Sequence, residues 1–515
     1  MPRVLRRHLS TVALGLVLLA FAGGTVAPAA WADTIAASVS STPVGQALPD
    51  GFLGVSFEFR ALHQYTGRDP RAVDPVLVHL LDGLAPGSAP SLRVGGDSTD
   101  GSWWPIRGVV PPGGIYYRLT PGWLRAAQAL SAELKTRMIL GINLEAGRPA
   151  IAAAEARAFA AGIGRRYIQA LEIGNEPDLY GVFPWYRDRR GHLHRSRAGH
   201  YSLANYTSEF SHLSQVLPRI PLAGPAVSGP DWMGKLAGFI GQEPRLGMVT
   251  YHRYPLRACT TDASQPSFPT IGHLLADSSS AGLADALAPF VAVAHRHQLP
   301  FRLTEINTAS CQGQPGVSDT FASALWSLNT MFNLARRGVD GVNFHMLPGS
   351  HYELFSPSQT QSGGWQAVVH PVYYGLDLFA QAFPVGARLV PVTAPSGPTK
   401  VWATQAGDGA LRVTLINQDP AAEHDVQVQI PNSTTPGNLE TLTAPSISST
   451  DGVALGGQSF GGQTSTGTLP GPPTTTPVTP VTGSYTVPLP AASAALLSIP
   501  GGPGGTPLVR HRSPR

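Results

Sequence analysis

Short apolar runs alternate with longer amphipathic stretches between about residues 51 and 380. Eight runs have the length and composition of buried strands: GFLGVSFEF (51–59), SLRVGG (91–96), RMILGIN (137–143), IQALEIG (168–174), PLAGPA (221–226), GMVTYHRY (247–254), PFRLTEIN (300–307) and DGVNFHM (340–346). Between them, apolar residues recur at the three- and four-residue spacing of helices, as in 152–164, 205–217, 282–298 and 320–338. Alternating strands and helices predict right-handed βαβ units and a parallel sheet. Eight such units favour a closed (β/α)₈ TIM barrel over residues 51–384 rather than an open sheet.

The helical pattern ends near residue 385 and period-two strand patterns replace it. The runs 400–405, 411–417, 425–430 and 484–489 are separated by Gly, Pro, Ser and Asn, which predicts an all-β sandwich over residues 385–500. Residues 456–483 are rich in Gly, Thr and Pro and form either a long loop or a weakly structured insertion. Residues 33–50 are predicted to add an N-terminal strand to the sandwich, and residues 501–515 to be a disordered tail.

The net charge of +4 over 515 residues comes from the two ends of the chain. Three arginines lie within residues 1–32 and three within residues 501–515, without any acidic residue in either segment. Removing these six leaves 30 basic and 32 acidic groups over residues 33–500, a net charge of −2. A body of this charge argues against nucleic acid as a partner, and we expect no basic cluster beside the strand ends.

The first 32 residues have the organisation of a secretory signal peptide. A positive segment precedes the apolar run TVALGLVLLAFAGG and the small-residue site Ala30-Trp31-Ala32, so the mature chain is predicted to begin at Asp33. The alternative is an uncleaved membrane anchor, although the apolar run is short for a spanning helix. We therefore expect a secreted protein without a membrane span after cleavage.

The chain contains two cysteines, Cys259 and Cys311. In an exported protein they form either one disulfide or two separate buried thiols. Two cysteines are too few for a zinc finger or an iron–sulfur cluster.

Reactive groups of a (β/α)₈ barrel lie at the carboxyl ends of its strands. The polar residues predicted there are Glu58, Arg93, Asp97, Asn143, Glu145, Asn175, Glu176, His252, Tyr254, Glu305, Asn307 and His345. Carboxylates are the commonest catalytic type among them, and no Cys/His set or Gly-rich phosphate loop accompanies them. This set indicates acid/base chemistry or glycosidic hydrolysis without a metal or a cofactor.

Two glutamates carry the strongest signal. Glu176 lies in Asn175-Glu176-Pro177 at a strand end, where it either protonates a leaving-group oxygen or belongs to the first turn of a helix capped by Asn175. Glu305 is either a nucleophile facing Glu176 or a buried carboxylate paired with an arginine. Two carboxyl groups about 5–5.5 Å apart serve a retaining glycosidase, and a wider gap implies inversion.

Several motifs together resemble glycoside hydrolase family 79, which holds β-glucuronidases and heparanase-like enzymes. They are LRVGGDSTDGSWWP, LEIGNEPDLY, VTYHRYPL, RLTEIN followed by GVSDTFASALW, and HPVYYGLDLF, with LGGQSF and AASAALLSI in the C-terminal domain. The resemblance implies that Glu176 is the acid/base and Glu305 the nucleophile. It implies a retaining exo-β-glucuronidase that removes terminal glucuronic acid, or its 4-O-methyl form, from glycans.

The same resemblance implies further site residues. Arg93 is expected beside the nucleophile, with a structural salt bridge to Glu172 as the alternative. Asn175 is expected to bond the sugar 2-hydroxyl. Glu58 is expected to hold sugar hydroxyls or to be a rim carboxylate, and Tyr254 to orient the nucleophile or to pack in the core.

The remaining residues of the predicted site have weaker signals. Asp97 is expected to reach a sugar hydroxyl or to shape the loop after Gly95-Gly96. His252 and His345 are expected to be structural histidines, and Glu145 a rim residue.

Recognition of a uronate needs donors for its carboxylate. The heparanase-like pattern has glycines shortly after the nucleophile whose backbone N–H groups supply them, and this chain has Cys311 and Gln312 there. Tyr352 is a further candidate donor. Because the two cysteines follow neighbouring barrel strands, a Cys259–Cys311 disulfide is the favoured pairing.

Two other functions fit the same scaffold. An endo-acting heparanase-like hydrolase would be favoured by a cleft lined with arginines. A non-catalytic glycan-binding protein would be favoured by loss of one of the two carboxylates, but both are present.

Overall fold

The computed structural model describes residues 33–501. The predicted signal peptide and, apart from Gly501, the predicted C-terminal tail lie outside this range. Among the described helices, none is long and apolar enough to cross a membrane.

Eight parallel strands close into a barrel in which each strand pairs with the next along the chain and the last pairs with the first. They are β1 (Leu53–Glu58), β2 (Ser91–Gly95), β3 (Met138–Ile142), β4 (Ile168–Ile173), β5 (Leu222–Val227), β6 (Leu246–Arg253), β7 (Phe301–Ile306) and β8 (Gly341–Met346). The strands read as nearly continuous apolar runs because helices cover the outside of the barrel and side chains fill its interior. All eight predicted runs form barrel strands, and the barrel prediction is confirmed.

Helices follow each strand and form the outer layer. Those of eight or more residues are Pro75–Gly83, Pro121–Glu133, Pro149–Phe159, Leu203–Val216, Ala281–Arg296, Phe321–Arg336 and Pro371–Ala382. Shorter helices are Phe59–Ala61, Leu62–Thr66, Ser98–Gly101, Ala160–Gly164, Arg165–Tyr167, Pro177–Leu179, Pro230–Met233, Leu236–Gln242, Ile271–Leu275 and Asp277–Ser279. The four predicted helical segments all form helices, with ends that differ by a few residues.

Two sheets form the C-terminal domain. One contains Arg388–Val390, Thr399–Gln405, Leu411–Asn417, Gly437–Thr443, Ala454–Leu455, Thr476–Val478 and Ser493–Ile499. The other contains Asp33–Val39, Val392–Thr393, His424–Gln429 and Ser484–Leu489. The N-terminal strand runs parallel to His424–Gln429, and the apolar faces of the two sheets share one buried cluster.

Residues 456–483 pack against the barrel rather than forming a weakly structured insertion. Thr464 and Ala367 exchange backbone hydrogen bonds of 2.8 and 2.9 Å. Phe460 is buried against Tyr373 and Tyr374 of the last barrel helix. These contacts join the insertion to the last barrel helix and to the strand Trp365–Val369 that precedes it.

Short two-stranded ribbons extend the loops at the carboxyl ends of the strands. They pair Ser102–Trp103 with Tyr117–Arg118, Tyr186–Arg187 with Leu193–His194, Leu256–Arg257 with Ala309–Ser310, and Phe355–Gln359 with Trp365–Val369. These ribbons build the walls around the candidate active site.

Candidate active site

Glu305, near the end of β7, is a buried carboxylate surrounded by donors. Its Oε2 accepts from Arg93 Nη1 at 2.7 Å, and its Oε1 accepts from the Tyr254 hydroxyl at 2.8 Å. His345 Nδ1 lies 3.6 Å from Oε2. Burial by itself would raise the pKa of Glu305, but the charges of His345, His252 and Arg93 and the Tyr254 hydrogen bond hold it below its usual value. Glu305 is therefore held as an anion.

Arg93, in β2, ties two glutamates together at the centre of the barrel. It is completely buried, and its Nε donates to Glu172 at 2.7 Å while its Nη1 donates to Glu305. Nη2 donates to Asn175 Oδ1 at 2.9 Å. A Cβ at Gly95 would lie 2.4 Å from the guanidinium, so a glycine is needed there. Arg93 thus makes the structural bridge to Glu172 and also contacts Glu305, so the two alternatives are not exclusive.

Glu176 follows β4 in a conformation that a glutamate rarely adopts. Its φ of 49° and ψ of 52° lie in the left-handed region, which costs about 1–3 kcal/mol for a residue other than glycine. Its N–H donates to the Ala226 carbonyl at 2.9 Å, and His252 Nδ1 lies 3.1 Å from its Oε1. These contacts hold the side chain at the end of the barrel in spite of the strain.

Asn175 is not a helix cap. The short helix Pro177–Leu179 begins after Glu176, and the Asn175 amide contacts Arg93 and Asp97 instead. The N-cap interpretation is therefore wrong, and Asn175 presents its amide to the same pocket as the two glutamates.

The two glutamates are close together. An oxygen of Glu176, a ring nitrogen of His252 and an oxygen of Glu305 all lie within 4.8 Å of one another. This separation fits the carboxyl spacing of about 5–5.5 Å used for retention better than the roughly 6.5–9.5 Å that leaves room for water in inversion. Within the described part of the chain, these three side chains are also the group that could hold a cation, but the charge of Arg93 beside Glu305 disfavours one.

Glu58 is buried behind the pocket rather than exposed on its rim. Its carboxylate accepts from the backbone N–H groups of Asp97 and Ser98 at 3.1 and 2.8 Å, and also from the Ser98 hydroxyl. His345 Nε2 lies 3.6 Å from Glu58. The rim interpretation is wrong, since Glu58 holds the loop that follows β2.

Asp97 reaches solvent in the pocket among other acids. Displacement of water by the pocket walls, followed by the charges of Glu58, Glu176 and Glu305, raises the pKa of Asp97 to about 7. Below that pH the protonated carboxyl can donate to a hydroxyl as well as accept from one.

Two histidines that the sequence assigned to structural roles lie between the acids. His252 contacts Glu176, and His345 lies between Glu58 and Glu305. Burial lowers the pKa of His345, but the two glutamates outweigh it and the net direction is upward. Both rings are buried and position carboxylates. The sequence around the two histidines did not indicate this role.

Asp100 is a buried residue beside the site that the sequence did not indicate. Its carboxylate accepts from the backbone N–H groups of Leu144, Glu145 and Asn175 at 2.8–3.0 Å, and from the Tyr180 hydroxyl at 2.6 Å. One buried side chain therefore joins the loops that follow β2, β3 and β4. In the sequence, Asp100 is marked only by its position three residues after Asp97. This position does not indicate any of its hydrogen-bond partners.

Replacing Asp100 with asparagine is expected to disturb Glu176 through its neighbour Asn175. We expect kcat to fall by about 10- to 100-fold, because small misplacements of catalytic groups carry costs of that size. Stability should fall by about 1–3 kcal/mol for the donors left unpaired. Steady-state kinetics and thermal unfolding measure the two effects. Tyr180→Phe, which removes one donor and keeps the ring, is the graded control, and an unchanged kcat in the Asp100 variant would contradict the positioning role.

Cys259 and Cys311 form a disulfide that joins the loops after β6 and β7. Cys311, Gln312 and Gly313 follow one another in left-handed backbone conformations, with φ of 61°, 70° and 77°. The Gln312 carbonyl accepts from His351 N–H at 2.9 Å. The loop after β7 is thus tied to His351, the residue before Tyr352, as well as to Cys259.

Tyr352 itself is buried near Tyr254 and His345. Its ring centre lies 6.3 Å from that of Tyr254 and 6.0 Å from that of His345. Tyr254 contacts Glu305 directly, and Tyr352 lies next to both Tyr254 and His345. Glu145 accepts from Ser196 at 2.7 Å, and burial followed by the Asp100 charge raises its pKa to about 8.

Removal of the disulfide by Cys259→Ala with Cys311→Ala is expected to lower the free energy of unfolding by about 2–4 kcal/mol. The bridge closes a separation of 52 residues, so its loss enlarges the unfolded ensemble. Denaturant unfolding of the variant beside the oxidised and reduced native chain measures the effect. Equal unfolding midpoints for all three samples would show that the bridge contributes nothing.

Comparisons with known proteins find similarity over the C-terminal domain and over longer parts of the chain. A family model described as the glycosyl hydrolase family 79 C-terminal beta domain matches residues 401–496. A beta-glucuronidase of Neurospora crassa is 24% identical over 364 residues, which cover 63% of this chain and 62% of the relative. A beta-glucuronidase of Aspergillus niger is 27% identical over 121 residues, covering 23% and 22%. The chain therefore spans about three fifths of the length of the first curated relative.

The fold also matches solved structures. A 4-O-α-L-rhamnosyl-β-D-glucuronidase from Fusarium oxysporum superposes with a TM-score of 0.69 at 19% identity, covering 90% of this chain and 100% of that one. An identity this low shows a common fold alone.

Proposed function

We propose that this chain belongs to glycoside hydrolase family 79 and is an exported, retaining exo-β-glucuronidase. Its substrate would be a glycan that ends in glucuronic acid or 4-O-methylglucuronic acid. The observation that carries the proposal is the close pair of Glu176 and Glu305, of which Glu305 is kept anionic by Arg93.

In the first step, a Glu305 oxygen attacks the anomeric carbon while Glu176 gives its proton to the glycosidic oxygen. The bond between the sugar and the leaving group breaks, and a covalent sugar–Glu305 ester forms. Arg93 and Tyr254 hold the two Glu305 oxygens, so the nucleophile is oriented before the substrate arrives.

In the second step, Glu176 takes a proton from water, and the resulting hydroxide equivalent attacks the same carbon. The ester bond to Glu305 breaks, which returns both carboxyl groups to their starting states. Two displacements at one carbon give a product with the β configuration of the substrate. Asn175 is suited to hold the 2-hydroxyl, since its amide already faces Arg93 and Asp97.

Recognition of the uronate carboxylate must overcome the acidic character of the pocket. Asp97, Glu58 and the catalytic pair repel an anion, so we assign its binding to uncharged donors in the loop after β7. Backbone N–H groups of the left-handed turn at Cys311 and Gln312, together with the Tyr352 hydroxyl, would supply the donors. The disulfide is a constraint that keeps this turn in place.

Export is supported by the predicted signal peptide and by a disulfide, a bond that persists mainly in oxidising compartments. The protein recovered from the extracellular fraction should begin at Asp33, and its mass measures this directly.

The activity is tested with matched aryl glycosides. The purified chain should hydrolyse aryl β-glucuronide and leave aryl β-glucoside and β-galactoside nearly untouched, because only the first carries the carboxylate. Proton NMR during the reaction should show the β anomer first. Absence of glucuronide turnover would overturn the proposal, while a first-formed α anomer would overturn the retaining mechanism alone.

A further inference from the structure

A strongly basic arm follows the strand that carries Glu176. We define the basic arm as residues 182–200, which contain five arginines, three histidines and one acidic residue, Asp188. Its centre is the hairpin of Tyr186–Arg187 with Leu193–His194. The expectation that no basic cluster lies beside the strand ends is therefore wrong, because a body with a small net charge conceals a local excess.

Most of this charge is exposed and unpaired. Arg187, Arg189, Arg190 and Arg195 are all exposed, and in the described residues none of them forms an ion pair. The one acid of the arm, Asp188, accepts from His194 at 3.0 Å and from backbone N–H groups of the turn. Among the described residues, the arm thus presents four guanidinium groups without a partner of opposite charge.

The base of the arm is fixed to the walls of the catalytic pocket. Arg197 donates to both oxygens of Glu209 at 3.0 and 2.8 Å, and to the carbonyls of Leu144 and Glu145 in the loop after β3. A hydrogen bond of 2.7 Å between Trp185 N–H and the His194 carbonyl closes the hairpin. The arm is therefore attached to the pocket wall at its base, and the hairpin bond fixes its conformation.

The arm also contacts the loop after β2. Gly113 and Gly114 lack side chains where the rings of Tyr186 and Trp185 lie, since a Cβ there would come within 2.6 and 2.2 Å of them. Tyr116, two residues further on, packs on Gly101, and burial followed by the charges of Glu58 and Asp97 raises its pKa. One continuous wall therefore runs from the pocket acids to the exposed arginines.

Glu176 determines which part of a substrate meets this wall. A general acid lies beside the oxygen of the leaving group, so the aglycone leaves on the side of Glu176, whereas the cleaved sugar sits between the two glutamates. The arm starts six residues after Glu176 and adds the exposed apolar side chains of Val182, Phe183 and Leu193 to its arginines. It offers both charge and apolar surface to a chain that emerges there.

We infer that the basic arm is a binding site for acidic glycan on the leaving-group side of the scissile bond. The ligand class is an oligosaccharide that carries carboxylate or sulfate groups in the sugars next to the cleaved residue. This inference rests on the proposed function for the orientation of the substrate, but binding by the arm does not require turnover. It also explains how an acidic pocket recruits an anionic substrate, because attraction is exerted at the arm before the terminal sugar enters.

The test compares two triple variants with the same change in charge. Arg189→Ser, Arg190→Ser and Arg195→Ser remove three exposed cations of the arm. Arg165→Ser, Arg166→Ser and Arg219→Ser remove three exposed cations at the opposite end of the barrel, before β4 and β5. Binding of oligogalacturonate, dextran sulfate and neutral dextran is measured in the Glu305→Gln background at low and at physiological salt.

The arm variant should bind the acidic chains about tenfold more weakly or worse, as expected for the loss of three exposed charge contacts, and added salt should reduce the difference. The control variant should bind the acidic chains like the parent. The parent and both variants should show no binding of neutral dextran. If the arm variant loses affinity for oligogalacturonate alone, the arm recognises carboxylate groups. If it loses affinity for dextran sulfate alone, the arm recognises sulfate groups. Equal affinity of both variants, or tighter binding of a single-stranded oligonucleotide than of either acidic glycan, would overturn the inference.

Kinetics then separate this site from the active site. On aryl β-glucuronide, whose aglycone is neutral and small, the arm variant should keep its kcat/KM. If the parent does not turn over this substrate, the proposed function fails while the binding result still decides the role of the arm. If the arm variant loses aryl glucuronide turnover with the parent active, the arm supports the pocket and the inference fails.

Discussion

Glu305→Gln is expected to lower kcat for aryl β-glucuronide by about 10⁴-fold or more, the scale seen when a nucleophile is removed from a catalytic unit. The amide is nearly isosteric with the carboxylate and keeps the hydrogen bond from Tyr254. It does not carry the negative charge that attacks the anomeric carbon, and it leaves Arg93 with one anionic partner, Glu172, instead of two. Initial rates with purified protein measure the loss.

The control for this variant is Glu145→Gln, which changes a carboxylate on the same face of the barrel. Glu145 accepts from Ser196 and makes no contact with Glu305, so activity should stay within about twofold of the parent, as for changes away from the reacting atoms. Both variants should unfold at similar temperatures. Turnover that survives in Glu305→Gln would remove Glu305 from the nucleophile role and with it the double-displacement mechanism.

Glu176→Ala is expected to lower kcat/KM by about 10²- to 10⁴-fold for substrates with a poor leaving group, the usual contribution of general acid catalysis. With an activated aryl leaving group, the loss in this first step should be much smaller, because such a group departs without a proton. A series of aryl β-glucuronides with leaving groups of graded acidity measures this dependence.

Azide provides the second arm of the Glu176 experiment. In Glu176→Ala the small anion can occupy the space of the missing carboxylate and attack the covalent intermediate from the β face. We expect azide to restore turnover and to give β-glucuronosyl azide, which NMR identifies. An α azide, or a loss that is the same for every leaving group, would contradict the assignment of Glu176 as acid and base.

The fold followed from the sequence because its signal is repeated. Each barrel strand is an apolar run flanked by an amphipathic helix, and eight repetitions determine the architecture even when single boundaries shift. The positions of Glu176 and Glu305 were predicted in the same way. Each lies at the carboxyl end of a strand, and the carboxyl ends of all eight strands lie on one face of the barrel. Their roles stay predictions until the variants are measured.

The contacts between strand ends did not follow from the sequence. Arg93 and Glu305 are 212 residues apart, and their 2.7 Å contact exists because β2 and β7 point into one interior. The same closure brings His345 between Glu58 and Glu305, and Asp100 under Asn175. A histidine in an apolar strand or an aspartate in a tight loop can be a partner of a catalytic group or a hydrogen-bonded core residue. The local sequence around it is the same in both cases.

The order of residues along the chain is enough to predict a barrel of eight units, a β domain and two glutamates at strand ends, because local periodicity and motif spacing are properties of the chain. The distance between those glutamates, the ionised state of Glu305 and the partners of Glu58 are known only from the folded structure. It also showed how the basic arm is anchored to the pocket wall. Those quantities depend on distances between residues far apart in the chain, and such distances are set only when the barrel closes.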